Sequence, residues 1–231
     1  MNEYILTSKT LITPILCKLF NTILVSGNYP KLWVKSIIIP IFKKGDQNDA
    51  GNFRGISLLS HIGKRFTSCI NARLLKWSSI RVSTRNRDWR RHIFALHSLI
   101  SNTLRKGKRL YCCFIDYVNA FDSVSHVKLW LQLTNSGITG QLLNVIKSMY
   151  SNLKACVRID GSYSDVFSCN VRLTKGESLS PFLYSLYVND IETELIKKGC
   201  QPYVLKNFNM FLLMYADDTV IFSENVEDCR N

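Results

Sequence analysis

Phe211-Leu-Leu-Met-Tyr-Ala-Asp-Asp-Thr-Val-Ile-Phe222 has two apolar runs that flank a Tyr-Ala-Asp-Asp core. Both runs favour β structure, so the pattern predicts a strand, a tight turn and a second strand, with Asp217 and Asp218 at the turn. Adjacent carboxylates repel each other, and between buried strands they are costly unless they are hydrogen-bonded or bound to a cation. A divalent metal ion removes that cost, which makes the turn a candidate metal site. The ordinary alternative is a solvated Asp-Asp turn, because aspartate is common at turns.

A third aspartate, Asp116, weighs against the ordinary alternative. It ends the apolar run Arg109-Leu-Tyr-Cys-Cys-Phe-Ile-Asp116, which is typical of a buried strand. Two-metal phosphoryl transfer uses carboxylates held on rigid strands to bridge two Mg²⁺ ions about 3.5–4 Å apart. We therefore predict that the strand ending at Asp116 meets the Asp217 turn and that together they form a split metal site. The spacing by itself does not establish that the two strands meet.

Composition narrows the class of protein. The 231 residues are 46% hydrophobic, which indicates a globular chain with a core. Lys and Arg number 30 and Asp and Glu 17, so the net charge of +13 favours a polyanionic partner, nucleic acid before an anionic membrane. The eight cysteines contain no Cys-x-x-Cys pair, and the four histidines complete no zinc pattern. The sequence has no secretory signal and no run of membrane-spanning length, so we expect an intracellular protein with free thiols and no membrane partner.

Hydrophobic periodicity predicts alternating helices and strands. Pro40 cannot donate a hydrogen bond to a neighbouring strand, so its strand is predicted at a sheet edge. Asp160-Gly-Ser162 predicts a hairpin turn. The predicted helices are 7–25, 56–78, 93–106, 124–134, 140–150 and 181–197, the predicted strands are 33–42, 109–116, 154–159 and 165–171, and the predicted loops are 43–55, 81–92 and 173–181.

Two of these loops are candidate nucleic-acid contacts. The loop 43–55 carries Lys43, Lys44 and Arg54 beside a predicted strand, and such a loop can lie on phosphates. The stretch 81–92 combines several arginines with an aromatic ring, a composition that suits single-stranded nucleic acid. The alternative in both cases is a solvated surface segment. The residues alone leave both interpretations open.

Four stretches, taken together and in order, resemble the reverse transcriptase domain of non-long-terminal-repeat retrotransposons. The resemblance covers nearly the whole chain, and the order and spacing of the stretches make it specific. The stretches are Phe42-Lys-Lys-Gly-Asp46 with Asn52-Phe-Arg-Gly-Ile-Ser-Leu-Leu59, Phe114-Ile-Asp-Tyr-Val-Asn-Ala-Phe-Asp-Ser-Val124, Gly176-Glu-Ser-Leu-Ser-Pro-Phe-Leu-Tyr-Ser-Leu-Tyr-Val-Asn-Asp190 and Tyr215-Ala-Asp-Asp218.

The resemblance implies an α+β polymerase right-hand fold, with a fingers-like region at 1–108 and a palm at 109–231. The implied palm has an antiparallel sheet backed by helices and is truncated after the hairpin, so that the thumb is absent. The implied function is that of an RNA-directed DNA polymerase, which performs two-metal nucleotidyl transfer to a primer 3′-hydroxyl with Mg²⁺ or Mn²⁺. The implied partners are an RNA template, a DNA primer and deoxynucleoside triphosphates, and the oligomeric state stays open.

The resemblance also implies roles for particular residues. Asp116, Asp217 and Asp218 are the expected catalytic and metal-binding carboxylates, with Asp217 the better candidate for direct ligation. The Tyr117 carbonyl is expected to add a metal ligand. Phe121 occupies the steric-gate position, where an aromatic ring clashes with a 2′-hydroxyl and selects deoxynucleotides, and its alternative is a core aromatic. Further expected nucleotide ligands are Lys43, Arg54, Lys175 and Gly176, and the expected nucleic-acid contacts are Lys44, Lys64, Arg65 and Tyr215.

Three departures from the family pattern favour a second hypothesis, an inactive, decayed fragment that at most binds nucleic acid. Asn119 replaces the Lys expected before Ala-Phe-Asp, and Lys175 replaces a Gln that positions the incoming nucleotide. Residues 83–92 do not reproduce the Gln-x-Gly-Phe-Arg block of the family. A third hypothesis is a Ca²⁺-binding turn at Asp217 and Asp218 that acts independently of the third aspartate, although the turn offers few ligands for it.

Overall fold

The computed structural model describes residues 8–81, 89–117, 120–169, 172–205, 208–215 and 217–225. The chain forms two compact units, each built from two separate stretches. Met1–Asn71 and Ser125–Ser180 form the first unit, and Ala72–Val124 and Pro181–Asn231 form the second. Both units contain helices and strands, which confirms the α+β class. The division into a fingers-like region and a palm at residue 108 stays a prediction.

The helices and strands alternate along the described part of the chain. The helices are α1 (Lys9–Ser26), α2 (His61–Arg81), α3 (Trp89–Arg105), α4 (His126–Asn135), α5 (Gly140–Tyr150), α6 (Ser180–Tyr187) and α7 (Ile191–Lys197). The strands are β1 (Lys35–Phe42), β2 (Phe53–Leu58), β3 (Tyr111–Asp116), β4 (Lys154–Ile159), β5 (Ser162–Tyr163), β6 (Phe167–Ser168), β7 (Tyr203–Leu205), β8 (Phe208–Met210), β9 (Leu212–Tyr215) and β10 (Asp218–Ser223). Short 3₁₀ helices cover Lys31–Trp33 and Ala50–Asn52.

The first unit contains a sheet with the strand order β2-β1-β4-β5, in which β6 also pairs with β4. β1 is antiparallel to β2 and parallel to β4, so the prediction that it lies at a sheet edge was wrong. The β4 pairing covers only Lys35 to Ile38 of β1. Pro40 is tolerated because its missing N–H falls beyond that pairing and leaves no acceptor of β4 without a partner.

Aromatic side chains that follow the end of α1 pack against α2 within the first unit. Gly27 ends α1 with a φ of 72°, and its N–H donates to the Ile23 carbonyl at 3.0 Å, which confirms the predicted helix end. The Tyr29 ring then packs edge-on against Trp33, with centroids 5.4 Å apart, and against Phe66 of α2 at 5.8 Å. Phe66 is buried, so the apolar stripe of α2 faces a core as its periodicity predicts.

The second unit contains an antiparallel sheet with the order β3-β10-β9 and a separate β7–β8 pair that the sequence did not predict. Leu99 of α3 packs with the buried side chains of Tyr203, Val220 and Phe222, which ties the helix to this sheet. The hydroxyls of Tyr203 and Thr103 lie 2.6 Å apart. The polar tip of the buried tyrosine is therefore hydrogen-bonded inside the core.

Several predicted boundaries need correction. Residues 53–58 form strand β2 although their local pattern predicted a loop and a helix, because β1 supplies a distant pairing partner. Residues 89–92 belong to α3 rather than to a loop, whereas residues 82–88 lie outside the described residues. The predicted helix 181–197 is divided into α6 and α7. The predicted strand 165–171 is reduced to the short β6, and β5 begins at Ser162, directly after Asp160 and Gly161 of the predicted hairpin turn.

Helix α1 is long and apolar enough to cross a membrane by length and composition, alone among the described helices. This corrects the expectation that no run reaches that length. Within the first unit, helix α1 packs against α5, and Ile23 of α1 is buried. A single such helix near the start of a chain is weak evidence for a membrane span.

Candidate active site

Asp116 and Asp218 are direct cross-strand partners. Asp116 is the last residue of β3, Asp218 is the first residue of β10, and their Cα positions are opposite each other in the antiparallel register. The expectation that the two aspartate-bearing strands meet is confirmed. Both residues are exposed. Because opposite residues of neighbouring strands share one face of a sheet, two negative charges lie side by side, which is unfavourable without a cation.

Asp217 lies in the turn between β9 and β10. Tyr215 is the register partner of Asp218, so the predicted tight hairpin is confirmed, although Asp218 begins strand β10 instead of lying in the turn. Asp217 is half-buried. Burial raises the pKa of Tyr184 to about 12, and the neighbouring Tyr117 and Asp217 add to that shift. Tyr184 therefore lies near two residues predicted to hold metal ions.

The donor set fits a hard divalent cation that keeps some of its water. Among the described residues, no group of three or more His, Cys, Asp or Glu side chains converges on one point. Mg²⁺ is usually bound through about one or two carboxylates together with water and substrate phosphates. Asp116 and Asp218 supply carboxylates of that kind. Ca²⁺ needs about six to eight oxygen ligands, so an independent calcium turn fits less well, and the full three-aspartate set stays a prediction.

An apolar hollow of about 230 Å³ adjoins the two carboxylates within the second unit. Asp116 and Asp218 line it together with Phe114, Leu213 and Val220 of the same sheet. The Phe114 ring is 74% exposed. An exposed aromatic face beside metal-type carboxylates offers a surface on which a base can stack.

Phe121 and Tyr184 form an aromatic pair in the second unit. Their ring centroids are 5.0 Å apart, and the ring planes are inclined by 32°. Tyr184 of α6 is buried, whereas Phe121 is half-buried in the turn that follows β3. Because the field of Asp217 reaches Tyr184, this pair lies close to the candidate metal site. The steric-gate role of Phe121 stays a prediction.

The loop from Thr174 to Ser180 is held by hydrogen bonds to the Thr174 carbonyl. The Glu177 N–H donates to it at 3.2 Å and the Ser180 hydroxyl at 2.8 Å. Gly176 has a φ of 88°, a left-handed conformation that favours glycine. A Cβ added there would lie 3.4 Å from a backbone carbonyl oxygen of β2. The turn explains the glycine, while the nucleotide-binding roles of Lys175 and Gly176 stay predictions.

Glu177 is a half-buried acid that the sequence analysis did not predict as part of the site. Its carboxylate accepts hydrogen bonds from the Thr67 hydroxyl of α2 and from the Ser178 N–H, the latter at 2.9 Å. Burial raises the pKa of Glu177, although these hydrogen bonds and the nearby Lys64 act in the opposite direction. The only signal in the sequence was a single acid two residues after Lys175, which does not reveal whether the acid is exposed.

The loop between β1 and β2 is stabilised by its own polar groups. The Lys43 N–H donates across the loop at 2.9 Å, and the carboxylates of Asp46 and Asp49 accept backbone N–H bonds at 2.9 and 2.8 Å. The aspartates therefore have a structural role as turn caps. The predicted phosphate-binding cations of this region, all exposed, are Lys43, Lys44 and Arg54.

The remaining predicted contacts are less completely described. Lys64 and Arg65 lie near the start of α2 in the first unit, where Lys64 is half-buried and Arg65 exposed. The side chain of Tyr215 lies outside the described residues, as does Asn119. The nucleic-acid roles of these residues stay predictions.

The family is established by comparison with known proteins. The model of the family described as reverse transcriptase (RNA-dependent DNA polymerase) matches residues 41–231. The chain therefore belongs to the reverse transcriptase family, and the resemblance inferred from the four stretches is confirmed.

The known proteins that are similar to this chain include retrotransposon proteins. The chain is 29% identical over 216 residues to the RNA-directed DNA polymerase from mobile element jockey of Drosophila funebris, with 90% of this chain and 23% of that protein covered. It is 24% identical over 215 residues to the Pol polyprotein from type-1 retrotransposable element R2 of Nasonia vitripennis, with 90% and 21% covered. The chain thus spans less than a quarter of the length of these relatives.

Solved structures support the same fold. Apo telomerase from Candida tropicalis, truncated from its C-terminal domain, has a TM-score of 0.62 at 13% identity, with 95% of this chain and 50% of that chain covered. A likeness at this identity concerns the fold alone, and it confirms the polymerase fold.

Proposed function

We propose that this chain is the polymerase region of a retrotransposon reverse transcriptase and that it adds deoxynucleotides to a primer 3′-hydroxyl on an RNA template. The pairing of Asp116 with Asp218 carries the proposal, because it joins two carboxylates at the end of a sheet in a chain of this family. In this proposal the β3-β10-β9 sheet belongs to the palm at 109–231, and β1 and β2 belong to the fingers at 1–108. An intracellular location is part of the same proposal.

Reverse transcriptases generally use divalent metal ions, and we propose Mg²⁺ here, with Mn²⁺ as a substitute. When bound, such ions lower the pKa of the attacking hydroxyl and neutralise the triphosphate. Asp116 and Asp217 would hold the ions, with Asp218 and the Tyr117 carbonyl as additional donors. The chain contributes rigidity, since two strands fixed by backbone hydrogen bonds keep the carboxylates in place before the substrate arrives.

Selection of the nucleotide is assigned to the aromatic pair. Phe121 lies under the sugar and clashes with a 2′-hydroxyl, while the buried Tyr184 holds the Phe121 ring in position. The cations of the first unit neutralise phosphates, the lysine ammonium groups as point charges and the arginine guanidinium groups as planar, two-pronged donors. The proposed nucleotide ligands are Lys43, Arg54, Lys175 and Gly176, and the proposed template and primer contacts are Lys44, Lys64, Arg65 and Tyr215.

Primer extension by the full chain on an RNA template, with Mg²⁺ and deoxynucleoside triphosphates, tests this function. We expect extension by the intact chain and a loss of about 100-fold or more in Asp217→Asn, because a lost metal ligand removes several kcal/mol of charge stabilisation. Asp165→Asn is the matched control, since Asp165 is an exposed acid of the first unit. Extension that survives Asp217→Asn contradicts the proposal.

The second candidate function is nucleic-acid binding without polymerisation. Lys175 favours it, because an ammonium group cannot supply the planar amide and the acceptor of the glutamine that the family carries at this position. RNA binding without extension by the intact chain, together with extension by Lys175→Gln, would support this candidate and identify the lost group. Extension by the intact chain rejects it.

A further inference from the structure

The first unit contains a cavity of about 770 Å³ at the start of strands β1 and β4. Three lysines from separate elements line it: Lys31 from a 3₁₀ helix, Lys35 from β1 and Lys154 from β4. We name this cavity the lysine cleft. No Asp or Glu lines it among the described residues.

No acid among the described residues balances the charges of the lysine cleft. Lys35 and Lys154 are register partners in the parallel pairing of β1 with β4, and like charges opposite each other destabilise a sheet. Within the described part of the chain, neither these two nor Lys31 forms an ion pair. All three lysines are exposed, so they can reach an anion without losing a partner. An anion in the cleft removes the repulsion that the pairing creates.

Neutral polar groups accompany the lysines. The Ser148 hydroxyl accepts a hydrogen bond from the Tyr29 N–H at 2.9 Å, which leaves its own proton available for donation. Asn28 and Asn152 add side-chain amides to the lining. Hydroxyl and amide donors beside lysines are the usual partners of nucleic-acid phosphates.

The lysine cleft is separate from the cations proposed to bind the nucleotide. Lys35 begins β1, whereas Lys43 follows the end of that strand. Eight residues of extended strand span about 25 Å, at roughly 3.3 Å per residue. A phosphate bound in the cleft therefore belongs to a different part of a nucleic acid from the one near Lys43.

We propose that the lysine cleft binds the phosphodiester backbone of single-stranded RNA, at a site distinct from the polymerase centre. The cleft has a volume of about 770 Å³ and three lysines that no described acid neutralises, and the overall charge of +13 favours the same partner. Binding at this site does not require catalysis, so it goes beyond the proposed polymerase activity.

Fluorescence anisotropy with a labelled single-stranded RNA, measured on the full chain over a range of salt concentrations, tests the cleft. For the variant Lys31→Ala/Lys35→Ala/Lys154→Ala we expect the slope of log K against log salt to fall by about 2, at roughly 0.7 per lost phosphate contact. Lys9→Ala/Lys18→Ala/Lys106→Ala is the matched control, because it removes the same charge from exposed lysines outside the cleft. Equal slopes for the two variants overturn the proposal.

Three further measurements keep the result interpretable. The charge-preserving variant Lys31→Arg/Lys35→Arg/Lys154→Arg is expected to retain the slope. If the alanine variant lost its slope only because it folds poorly, replacement of the same three side chains by arginine would not be expected to preserve the slope. The same titration in the Asp217→Asn background is expected to give the full slope, so failure of the cleft is distinguishable from failure of polymerisation. Displacement of the RNA by inorganic phosphate, or by phosphatidylserine vesicles, at matched ionic strength overturns the assignment to an RNA backbone.

Discussion

Asp116 at the end of β3 lies directly opposite Asp218 at the start of β10, so two carboxylates share one face of the sheet. Such a pair costs the metal-free fold about 0.2–1 kcal/mol. We therefore expect Asp218→Asn to raise the melting temperature in the presence of a chelator, by about 1–3 °C for a chain of this size. Thermal unfolding with and without chelator measures this. Asp165→Asn should leave the value unchanged, and a lower melting temperature for Asp218→Asn in chelator speaks against the repulsion.

The contact between Phe121 and Tyr184 predicts an effect on sugar selection. An aromatic pair is worth about 0.5–1.5 kcal/mol beyond its buried area, so Tyr184→Leu should lower the preference for deoxynucleotides over ribonucleotides by about 2- to 10-fold. Tyr184→Phe keeps the ring and should keep the preference. Single-nucleotide insertion kinetics with both substrates give the ratio of kcat/KM values. A ratio unaltered in Tyr184→Leu, in an enzyme that still extends primers, rejects this role for the pair.

Glu177 predicts a pH dependence of stability. Burial raises the pKa of Glu177 in the folded state, so the contribution of this group is present while it is protonated and is lost as pH rises through the raised pKa. Glu177→Gln mimics the protonated form and should lose less stability over the same rise in pH. Urea unfolding at a series of pH values measures the difference, with the exposed Asp165→Asn as the control. Parallel curves for the wild type and Glu177→Gln contradict the assignment.

Gly176 predicts a backbone effect in the loop that follows Thr174. Its φ of 88° costs a residue with a Cβ about 1–2 kcal/mol, and we expect Gly176→Ala to lower the free energy of unfolding by that amount. Gly176→Asn should cost less, because asparagine tolerates the left-handed region better than alanine. Chemical denaturation of the two variants provides the comparison. An alanine variant as stable as the wild type shows that the loop can adopt another conformation.

The sequence predicted the local part of the candidate site well. The apolar run that ends at Asp116 and the paired runs around Asp217 are strand patterns that need no distant information. The direct pairing with Asp218 could not be read from spacing, because register depends on contacts between strands far apart in the chain. The chemistry of a two-metal site and the family resemblance gave the reason to expect that the strand ending at Asp116 meets the Asp217 turn, but neither predicted the register.

Other features depended on partners that a local pattern does not reveal. Residues 53–58 carry a glycine and alternate weakly, and they become a strand because β1 lies beside them. Glu177 is half-buried, and the buried Thr67 of α2, 110 residues away in the sequence, donates a hydrogen bond to its carboxylate. Tyr184 reads as one more apolar position of a helix until its contact with Phe121 is seen.

Binding of Mn²⁺, followed by electron paramagnetic resonance on the full chain, tests most directly the claim that aspartates from two strands form one metal site. We predict that Asp116→Asn and Asp217→Asn each weaken binding and that the double variant loses little more than either single one, because residues that share a ligand set are not additive. Asp165→Asn should bind as the wild type does. If Asp116→Asn binds Mn²⁺ as well as the wild type does and only Asp217→Asn loses binding, the shared site is contradicted. The turn would then be a cation-binding loop that does not use Asp116.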